Sequence, residues 1–335
     1  MIKGEAVFKG EVDVKYLFKK GEDTDVLTVV FSGFSTEGKP PLYNYIRTLE
    51  GFTCNTLFIL DDFGCRGSYY LCKQRDFSIE RSVISLIHTI AKEHSVKKII
   101  SCGSSKGGYA SLYYSLKYGF DAAICWSPQY YLGDYLISTK NKNMNEVGEF
   151  MAGGCFQDDK LYLNSILRDI IVNSAHTPEL YIHLGEGEIH YTHHVKPMIE
   201  DLKNSNRQYE LDLGPYNSHS DVAKFFPEFL RKNIARILNS PYVIFEEQTN
   251  SDMTKGDSYL FRVNKDQDGD IYAWYIYKDG EIIERKMYED SRETLVTFHE
   301  IGEYMVKAYV LNKHKRKTSL KSSYFQVKEA LSVLG

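Results

Sequence analysis

The sequence predicts an α/β domain whose mostly parallel sheet lies between two layers of helices, followed by a smaller all-β domain. Over residues 1–240, apolar runs of strand length alternate with segments whose apolar residues have helical spacing. Over residues 241–335, only short strand-like runs occur, and the turns between them contain Gly or Asp. The length of 335 residues is sufficient for one large domain and one small domain.

The first domain begins with a predicted strand pair over Glu5–Phe18 and continues with strands that are almost entirely apolar. Strands of this kind are typical of a parallel sheet that helices cover on both faces. Ligands bind such sheets at the carboxyl ends of the strands, where this chain has several glycine-containing turns. The expected strands are Val26–Phe31, Thr56–Leu60, Lys98–Cys102, Ala122–Trp126, Glu179–Leu184 and Tyr209–Leu213, and the expected helices include Ile79–His94, Tyr109–Lys117 and Pro227–Leu238.

Residues 133–175 interrupt this alternation between two of the core strands. The segment contains a polar run at 141–143, a glycine pair at 153–154 and a helix-like pattern over Leu161–Val172. Two interpretations stay open here, an insertion that caps the functional site and a plain helical excursion.

The second domain follows a break at 239–241 and is predicted to contain about seven short strands. Strands of this length with Gly/Asp turns favour a β-sandwich of immunoglobulin type, here without any cysteine. The expected strands are Tyr242–Glu247, Ser258–Val263, Asp270–Tyr277, Glu281–Met287, Glu293–Phe298, Gly302–Leu311 and Ser323–Lys328, with turns at 267–269, 279–280 and 300–302.

Composition and charge exclude several classes of protein. The net charge of −4 provides no basic field for nucleic acid, so no nucleic-acid partner is expected. No run of eighteen apolar residues occurs, so we expect no membrane-spanning helix. The first residues lack the apolar core of a signal peptide, and the six cysteines form no Cys-x-x-Cys pair. We therefore expect a cytoplasmic protein with buried free thiols.

The segment Ile99–Ala110 contains a Gly-x-Ser-x-Gly motif between a predicted strand and a predicted helix. This is the layout of a nucleophile elbow, a turn so tight that the residues two before and two after the serine must be small. Gly103 and Gly107 meet that condition around Ser105. Ser104 does not meet this condition, because the residues two before and two after it are Cys102 and Lys106. Ser105 is the predicted nucleophile.

A serine nucleophile needs a base and a carboxylate that orients the base, in the chain order Ser, acid, His. The strand that ends at Leu184 is followed by a glycine-rich turn that carries Glu188 and Glu186. Glu188 is the predicted acid and Glu186 the second choice. The strand that ends at Leu213 is followed by His219, the predicted base, while Asp221 lies too near His219 to orient it.

The predicted oxyanion hole consists of two backbone N–H groups, from Lys106 after the nucleophile and from the turn near Phe34. Gly33 allows the backbone of that turn to approach closely. The Lys106 side chain has two interpretations, a cation that favours an anionic substrate or a group that points to solvent, and we favour solvent.

A possible metal site lies in the run 190–194, because His190 and His194 share one face if the run is helical, with Glu188 nearby. The run directly follows the predicted acid turn, and no second cluster of ligands appears. We therefore expect no metal and no cofactor.

Residues 26–238 resemble the α/β-hydrolase superfamily. The resemblance rests on the motif Gly103–Gly108, the turn Gly185–Glu188 and the loop Ser218–Asp221. It implies an α/β-hydrolase three-layer sandwich and a catalytic triad. The family pattern often has Asp as the triad acid, so a glutamate is a departure from it.

A narrower resemblance rests on Ser104–Ser111, Ala122–Ile124 and Ser127–Gln129. These look like bacterial capsule-biosynthesis proteins of the α/β-hydrolase type and accessory Sec glycosylation proteins. The segments Tyr272–Tyr277 and Gly302–Lys307 look like the small three-tyrosine sandwich modules that accompany some of these proteins. The resemblance implies acetyl or acyl ester chemistry on carbohydrate.

The first functional hypothesis is a serine esterase or O-acyltransferase that acts on a surface glycan through Ser105, His219 and Glu188. Its partners would be a carbohydrate or acyl-ester substrate and glycan-assembly proteins, and the C-terminal sandwich would present a substrate or a partner. The alternative is a non-catalytic adaptor in a glycan-biosynthesis or secretion complex. The complete order Ser, acid, His argues against the adaptor.

Overall fold

The computed structural model describes residues 3–35, 38–138, 142–245, 253–265, 269–315 and 317–329. The chain divides into two compact units, the first made of Met1–Ile46 and Thr53–Val222, and the second of Arg47–Phe52 and Ala223–Gly335. The second unit thus includes nearly all of the last helix of the predicted first domain. The domain boundary at residue 240 stays a prediction.

The first unit is built on a central sheet. Its strands are β1 (Glu5–Lys9), β2 (Asp13–Lys19), β3 (Asp23–Phe31), β4 (Cys54–Ile59), β5 (Lys98–Ser104), β6 (Ala122–Trp126), β7 (Glu179–Gly185) and β8 (Glu210–Gly214). Within the described ranges, their order is β1-β2-β4-β3-β5-β6-β7-β8. The β1–β2 and β2–β4 pairs are antiparallel, and the other five pairs are parallel. The predicted α/β fold with a mostly parallel sheet is confirmed.

Helices connect these strands. They are α1 (Ser78–Glu93), α2 (Lys106–Tyr118), α3 (Leu132–Leu136), α4 (Lys142–Ala152), α5 (Gln157–Asn173) and α6 (Lys196–Asn204). Helix α1 buries Ile79, Val83, Ile87 and Ile90 along one face, as its spacing predicts. Helix α2 is instead buried without interruption over residues 106–116, because it packs against β5, β6 and α5.

The segment 133–175 between β6 and β7 is helical and contains most of α3 together with α4 and α5. It is tied to the loop before α1. The backbone N–H groups of Gln74 and Arg75 donate to the carbonyl oxygens of Phe150 and Met151, each at 2.8 Å. The Arg75 guanidinium also pairs with Asp159 at 2.7 Å. The role of this segment as a cap stays a prediction.

The second unit contains helix α7 (Val222–Ile237) and two sheets. Its strands are β9 (Val243–Phe245), β10 (Met253–Thr254), β11 (Ser258–Val263), β12 (Ile271–Lys278), β13 (Glu281–Glu289), β14 (Glu293–Thr297), β15 (Gly302–Leu311), β16 (Lys317–Lys321) and β17 (Phe325–Lys328). In the described part of the chain, one sheet has the order β10-β17-β15-β12-β13, with β16 also paired to β15, and the other has the order β14-β11-β9.

The two sheets share one hydrophobic core. Phe261 and Val296 of the smaller sheet belong to the same buried cluster as Trp274 and Val306 of the larger sheet. The all-β prediction therefore agrees with the described strands, while the immunoglobulin-like arrangement stays a prediction. The sequence did not predict the edge strand β16, because its five residues contain a single apolar side chain. The predicted strand end at 246–247 and the turn residues 267–268 lie outside the described residues.

Composition gave two expectations, one about membrane-spanning helices and one about the cysteines. No helix among the described residues is long and apolar enough to cross a membrane. The six cysteines are free, but the expectation that they are buried is wrong for two of them, because Cys65 and Cys155 lie on exposed loops.

Helices α3 and α5 approach each other so closely that only glycine fits at the crossing. A Cβ atom on Gly133 would lie 2.0 Å from the backbone carbonyl oxygen of Lys160. We expect Gly133→Ala to lower the free energy of unfolding by about 1–3 kcal/mol, although alanine is the better helix former. The measurement is urea unfolding followed by circular dichroism.

Gly148→Ala is the matched control, because Gly148 lies within helix α4 and the atom nearest its added Cβ is a side-chain atom, Cγ1 of Ile137 at 2.8 Å, rather than backbone. We expect this variant to lose less stability than Gly133→Ala, because a side chain can shift more easily than the backbone of α5. Equal destabilisation by the two substitutions would contradict the proposed packing of α3 on α5.

Candidate active site

The turn between β5 and α2 holds Ser105 in a backbone conformation that most residues avoid, with φ 52° and ψ −115°. The two flanking glycines explain this geometry. A Cβ atom on Gly107 would lie 2.1 Å from the carbonyl oxygen of Phe31, and one on Gly103 would lie 2.5 Å from the backbone carbonyl of Gly107. No larger residue fits at either position, so β3, β5 and α2 together fix the turn that carries Ser105.

The three predicted triad residues lie together at the carboxyl end of the sheet. The Nε2 atom of His219 is 3.2 Å from Oγ of Ser105, and its Nδ1 atom is 2.9 Å from Oε2 of Glu188. Glu188 follows β7 and its side chain is 1 % exposed, whereas that of His219, in the 3₁₀ turn after β8, is 35 % exposed. Glu186, the second choice for the acid, is exposed.

The carboxylate of Glu188 is held from two further sides. The backbone N–H of Gly185 donates to Oε1 at 2.9 Å, and the Ser127 hydroxyl donates to Oε2 at 2.8 Å. Ser127 follows β6, is fully buried and has φ 43°. These bonds orient the carboxylate toward His219. The sequence reasoning did not single out Ser127 as a site residue, although it lies in the quoted string after β6.

Ser105 has a second polar neighbour that the sequence reasoning missed. The side-chain amide of Gln129 donates to Oγ of Ser105 at 2.6 Å. The hydroxyl of Tyr69 donates in turn to Oε1 of Gln129 at 3.3 Å. Both side chains are fully buried, so these hydrogen bonds fix the position of the serine oxygen. The signal available in the sequence was the polar residue just after the carboxyl end of β6.

The imidazole of His219 is held between two other rings. It stacks on the indole of Trp126 at a centroid distance of 4.3 Å and an interplanar angle of 30°. The imidazole of His190 lies on it at 4.2 Å. The indole N–H of Trp126 donates to the hydroxyl of Tyr216 at 2.8 Å, which fixes the indole itself.

His190 and His194 are buried, and burial is the main reason that their imidazoles stay neutral. Burial lowers the pKa of His190 to about 3 and that of His194 to about 4, and neighbouring histidines act in the same direction. Ligand atoms of Glu188, His190 and His219 lie within 4.8 Å of one another, so this trio has the composition of a small metal site. The hydrogen bond between Glu188 and His219 already engages two of these residues. The absence of a metal stays a prediction.

The expectation that the Lys106 side chain points to solvent is wrong. Lys106 is 1 % exposed, and its Nζ atom forms an ion pair with Asp61 at 2.7 Å. Burial lowers the pKa of Lys106, and the charge of Asp61 opposes that effect. The Nζ atom also lies 4.8 Å from the ring centre of Tyr70.

Asp61 satisfies the rest of its hydrogen-bonding capacity with the loop after β4. It accepts bonds from the backbone N–H of Ser68 at 2.9 Å, from the Ser68 hydroxyl at 3.2 Å and from the N–H of Tyr70 at 3.3 Å. A charge pair without exposure to water is stable only with such additional bonds. The pair therefore fastens the loop after β4 to the first residue of α2.

The two predicted oxyanion groups belong to segments that adjoin Ser105. Lys106 is the first residue of α2, so its N–H is one of the four that a helix leaves without an internal partner. The loop that carries Phe34 passes directly over the elbow, because a Cβ on Gly33 would lie 3.2 Å from the carbonyl oxygen of Ser104. Both N–H groups thus come from segments next to Ser105.

No family model matches the chain, and no curated protein matches it. Solved structures do match. A histidine-to-alanine mutant of the capsule O-acetyltransferase of Neisseria meningitidis serogroup A, in complex with CoA, is 23 % identical with a TM-score of 0.60, over 70 % of this chain and 96 % of that one. The chain has an α/β-hydrolase-like fold.

Two further matches bear on the narrower resemblance. A glycosylation-associated protein complex (Gap123) of Streptococcus agalactiae matches with 16 % identity and a TM-score of 0.57, over 70 % of this chain and 46 % of that one. A fluorophosphonate-binding serine hydrolase of Staphylococcus aureus matches with 15 % identity and a TM-score of 0.50, over 70 % of this chain and 98 % of that one. The predicted resemblance to capsule, glycosylation and serine-hydrolase proteins is confirmed as a likeness of fold.

The ion pair between Lys106 and Asp61 predicts strong energetic coupling. Lys106→Met leaves a buried carboxylate without its cation, and we expect the free energy of unfolding to fall by about 3–5 kcal/mol. The double variant Asp61→Asn/Lys106→Met removes both charges and should be more stable than Lys106→Met alone. Urea unfolding of the two single variants and the double variant measures this. Additive effects would contradict the coupling.

The buried histidines predict a loss of stability in acid. The folded pKa of His194 lies below its unfolded value of about 6.5, so the unfolded chain binds more protons as the pH falls from about 6.5 to about 4. The free energy of unfolding should therefore decrease over that window. Between about pH 7 and about pH 5, the free energy of unfolding of His194→Gln should fall by about 1–2 kcal/mol less than that of the unchanged protein.

His193→Gln is the matched control for this measurement, because His193 is the exposed neighbour of His194. Its pH dependence should flatten less than that of His194→Gln, because the charge of His193 supplies only part of the lowering of the His194 pKa and burial supplies the larger part. Equal flattening in the two variants, or an unchanged pH dependence in His194→Gln, would show that the buried imidazole is not the cause.

Proposed function

We propose that the protein is a serine esterase or O-acyltransferase that acts on acyl esters, above all acetyl esters, of a carbohydrate or surface glycan. The observation that carries the proposal is the hydrogen-bonded series from Ser105 through His219 to Glu188. A serine hydroxyl is a weak nucleophile, and it becomes reactive when an adjacent base takes its proton during attack. The elbow makes this serine oxygen accessible to a carbonyl carbon.

In the proposed reaction, Oγ of Ser105 attacks the ester carbonyl while Nε2 of His219 takes the hydroxyl proton. The Glu188 carboxylate stabilises the imidazolium that forms, and the N–H groups of Phe34 and Lys106 stabilise the oxyanion. His219 then gives the proton to the leaving oxygen, and an acyl-serine remains. Water or a sugar hydroxyl next gives its proton to His219 and attacks the acyl carbon. The bond from that carbon to Oγ of Ser105 then breaks, His219 returns the proton to Oγ, and the product is a free acid or a transferred ester.

Gln129 has a defined place in this reaction. Its amide N–H donates to Oγ of Ser105 and so favours negative charge on that atom as the proton leaves. Because Tyr69 holds the amide from the other end, the donor is fixed before the substrate binds.

Two proteins with a similar fold support acyl chemistry. The first is a capsule O-acetyltransferase whose mutant was solved with CoA, and the second is a fluorophosphonate-binding serine hydrolase. The first favours transfer from a thioester donor, and the second favours hydrolysis. Both reactions proceed through the same acyl-serine, so the site described here is compatible with either.

The proposed organisation is a catalytic domain over residues 1–240, with 133–175 as its cap, and an immunoglobulin-like accessory domain over residues 241–335. A non-catalytic adaptor is the second candidate function, because the fold also occurs in a glycosylation-associated protein complex. The adaptor needs the fold but not a reactive serine. An activity measurement therefore separates the two.

We expect Ser105→Ala to lower the rate of p-nitrophenyl acetate hydrolysis by about 1,000-fold or more, because it removes the attacking oxygen. Ser104→Ala is the matched control. It removes the same hydroxyl from the neighbouring residue, and its rate should stay within about tenfold of the unchanged protein. Equal rates in the unchanged protein and Ser105→Ala would remove the catalytic proposal and favour the adaptor.

A further inference from the structure

The outer face of the larger sheet in the second unit has an unusual composition. Side chains alternate along a strand, so the residues directly after the core positions Trp274 and Ile276 of β12 point away from the core. Those two residues are Tyr275 and Tyr277. On the neighbouring strand β15, Lys307 and Tyr309 occupy the equivalent outward positions between the core residues 306, 308 and 310.

The three tyrosines form one cluster rather than three separate side chains. The rings of Tyr275 and Tyr309 lie edge to face at a centroid distance of 4.8 Å. The side chains of Tyr277 and Tyr309 also interact electrostatically. All three side chains are half-buried, so part of each ring and hydroxyl still faces water.

Three cations surround this cluster. Arg285 of β13 lies opposite Tyr275 in the strand register, with its guanidinium carbon 5.4 Å from that ring centre. The Nζ atoms of Lys307 and Lys317 lie 4.9 Å and 4.4 Å from the ring centre of Tyr309. We call these six residues the tyrosine–cation face: Tyr275, Tyr277, Arg285, Lys307, Tyr309 and Lys317.

The cations of this face have no anionic partner in the described part of the chain. No carboxylate there lies within 4.0 Å of Arg285, Lys307 or Lys317, although Lys255 and Lys278 of the same unit pair with Glu329 and Glu300. The chain has 45 acidic residues against 41 Lys and Arg, so acidic side chains are not scarce. Within the described residues, the positive charge of this face is thus left without a paired carboxylate.

The pKa of the Tyr309 hydroxyl reflects the same positive potential. Burial by itself would raise its pKa, yet its pKa is lowered below the ordinary value. The causes are hydrogen bonds from Tyr277 and Lys307 to its oxygen, and the charges of Lys307 and Lys317. The position of the Tyr309 hydroxyl is therefore one where negative charge is stabilised.

We propose that the tyrosine–cation face binds an acidic polysaccharide, with anionic groups of the glycan between Arg285, Lys307 and Lys317 and its sugar rings against the tyrosines. Tyrosine combines an apolar ring with a hydroxyl, which suits the apolar faces and hydroxyl groups of sugars. The uncompensated cations select glycans that carry negative charge.

The choice of a glycan over other polyanions rests on the proposed function, and charge density supports it. Nucleic acid binds proteins mainly through many phosphate contacts, of which a tight complex makes about 6–10. Three cations on a chain of net charge −4 are too few for that mode. A polysaccharide has a lower charge density and offers sugar rings for the tyrosines.

The test is binding of fluorescein-labelled colominic acid, a carboxylate-bearing sialic acid polymer, to the full-length chain, followed by fluorescence anisotropy. We expect saturable binding that weakens as NaCl rises from about 50 to about 300 mM. Lys307→Gln/Lys317→Gln should raise the Kd by about tenfold or more. Tyr309→Phe keeps the ring and should have a smaller effect, and thermal unfolding checks that each variant is folded.

The matched control is Lys255→Gln/Lys278→Gln, which removes the same net charge from two lysines that already have carboxylate partners. Its Kd should stay within about twofold. The proposal is overturned if the control weakens binding equally, if neutral dextran binds as tightly, or if the unchanged protein does not bind. Tighter binding of oligothymidylate or polyglutamate would also overturn it, because the occupant would then be a different polymer.

A failure of this inference can be distinguished from a failure of the proposed function. Binding should be unchanged in Ser105→Ala, since the tyrosine–cation face contains no residue of the proposed triad. Esterase activity in the unchanged protein without any binding of the glycan would overturn this inference alone. Binding of the glycan by the unchanged protein without any esterase activity would overturn the enzymatic proposal alone.

Discussion

The close approach of three backbone segments at the carboxyl end of the sheet is the constraint on which the site depends. Strands β3 and β5 and the start of helix α2 meet where Gly103 and Gly107 have no room for a Cβ atom. The chain can make this turn only with Ser105 at positive φ, a conformation that costs about 1–3 kcal/mol and persists because its surroundings hold it. The close packing of the flanking glycines thus holds the serine oxygen at the turn, between the end of β5 and the start of α2.

The same constraint accounts for the ion pair beside the serine. Helix α2 begins directly after the elbow and is buried over residues 106–116, so the side chain of its first residue cannot reach water. A lysine there needs a buried anion, and Asp61 supplies it from the end of β4. The pair then holds the loop after β4 against the elbow. The Lys106 side chain, which in the sequence resembles a contact for an anionic substrate, thus joins the start of helix α2 to the loop after β4.

Sequence reasoning predicted what depends on local pattern and chain order. The small residues around Ser105, and the positions of Glu188 and His219 after two strands, follow from the strand–turn–helix layout, and these side chains lie together in the structure. Sequence reasoning failed where a residue that contacts the site comes from a distant strand. Asp61 is 45 residues from Lys106, and Ser127 and Gln129 contact the site only because β6 lies between β5 and β7. Pairwise contacts across a sheet carry no periodic signal in the sequence, so strand-end polar residues were the only available indication.

The central claim is that Ser105 is a nucleophile, prepared by His219 on one side and by Gln129 on the other. The most direct measurement is covalent labelling of the full-length protein with a fluorophosphonate probe, followed by peptide mass mapping of the modified residue. The account predicts one modified serine, Ser105, with labelling lost when the protein is unfolded before the probe is added. Labelling at Ser104, or no labelling of the folded protein, would contradict it.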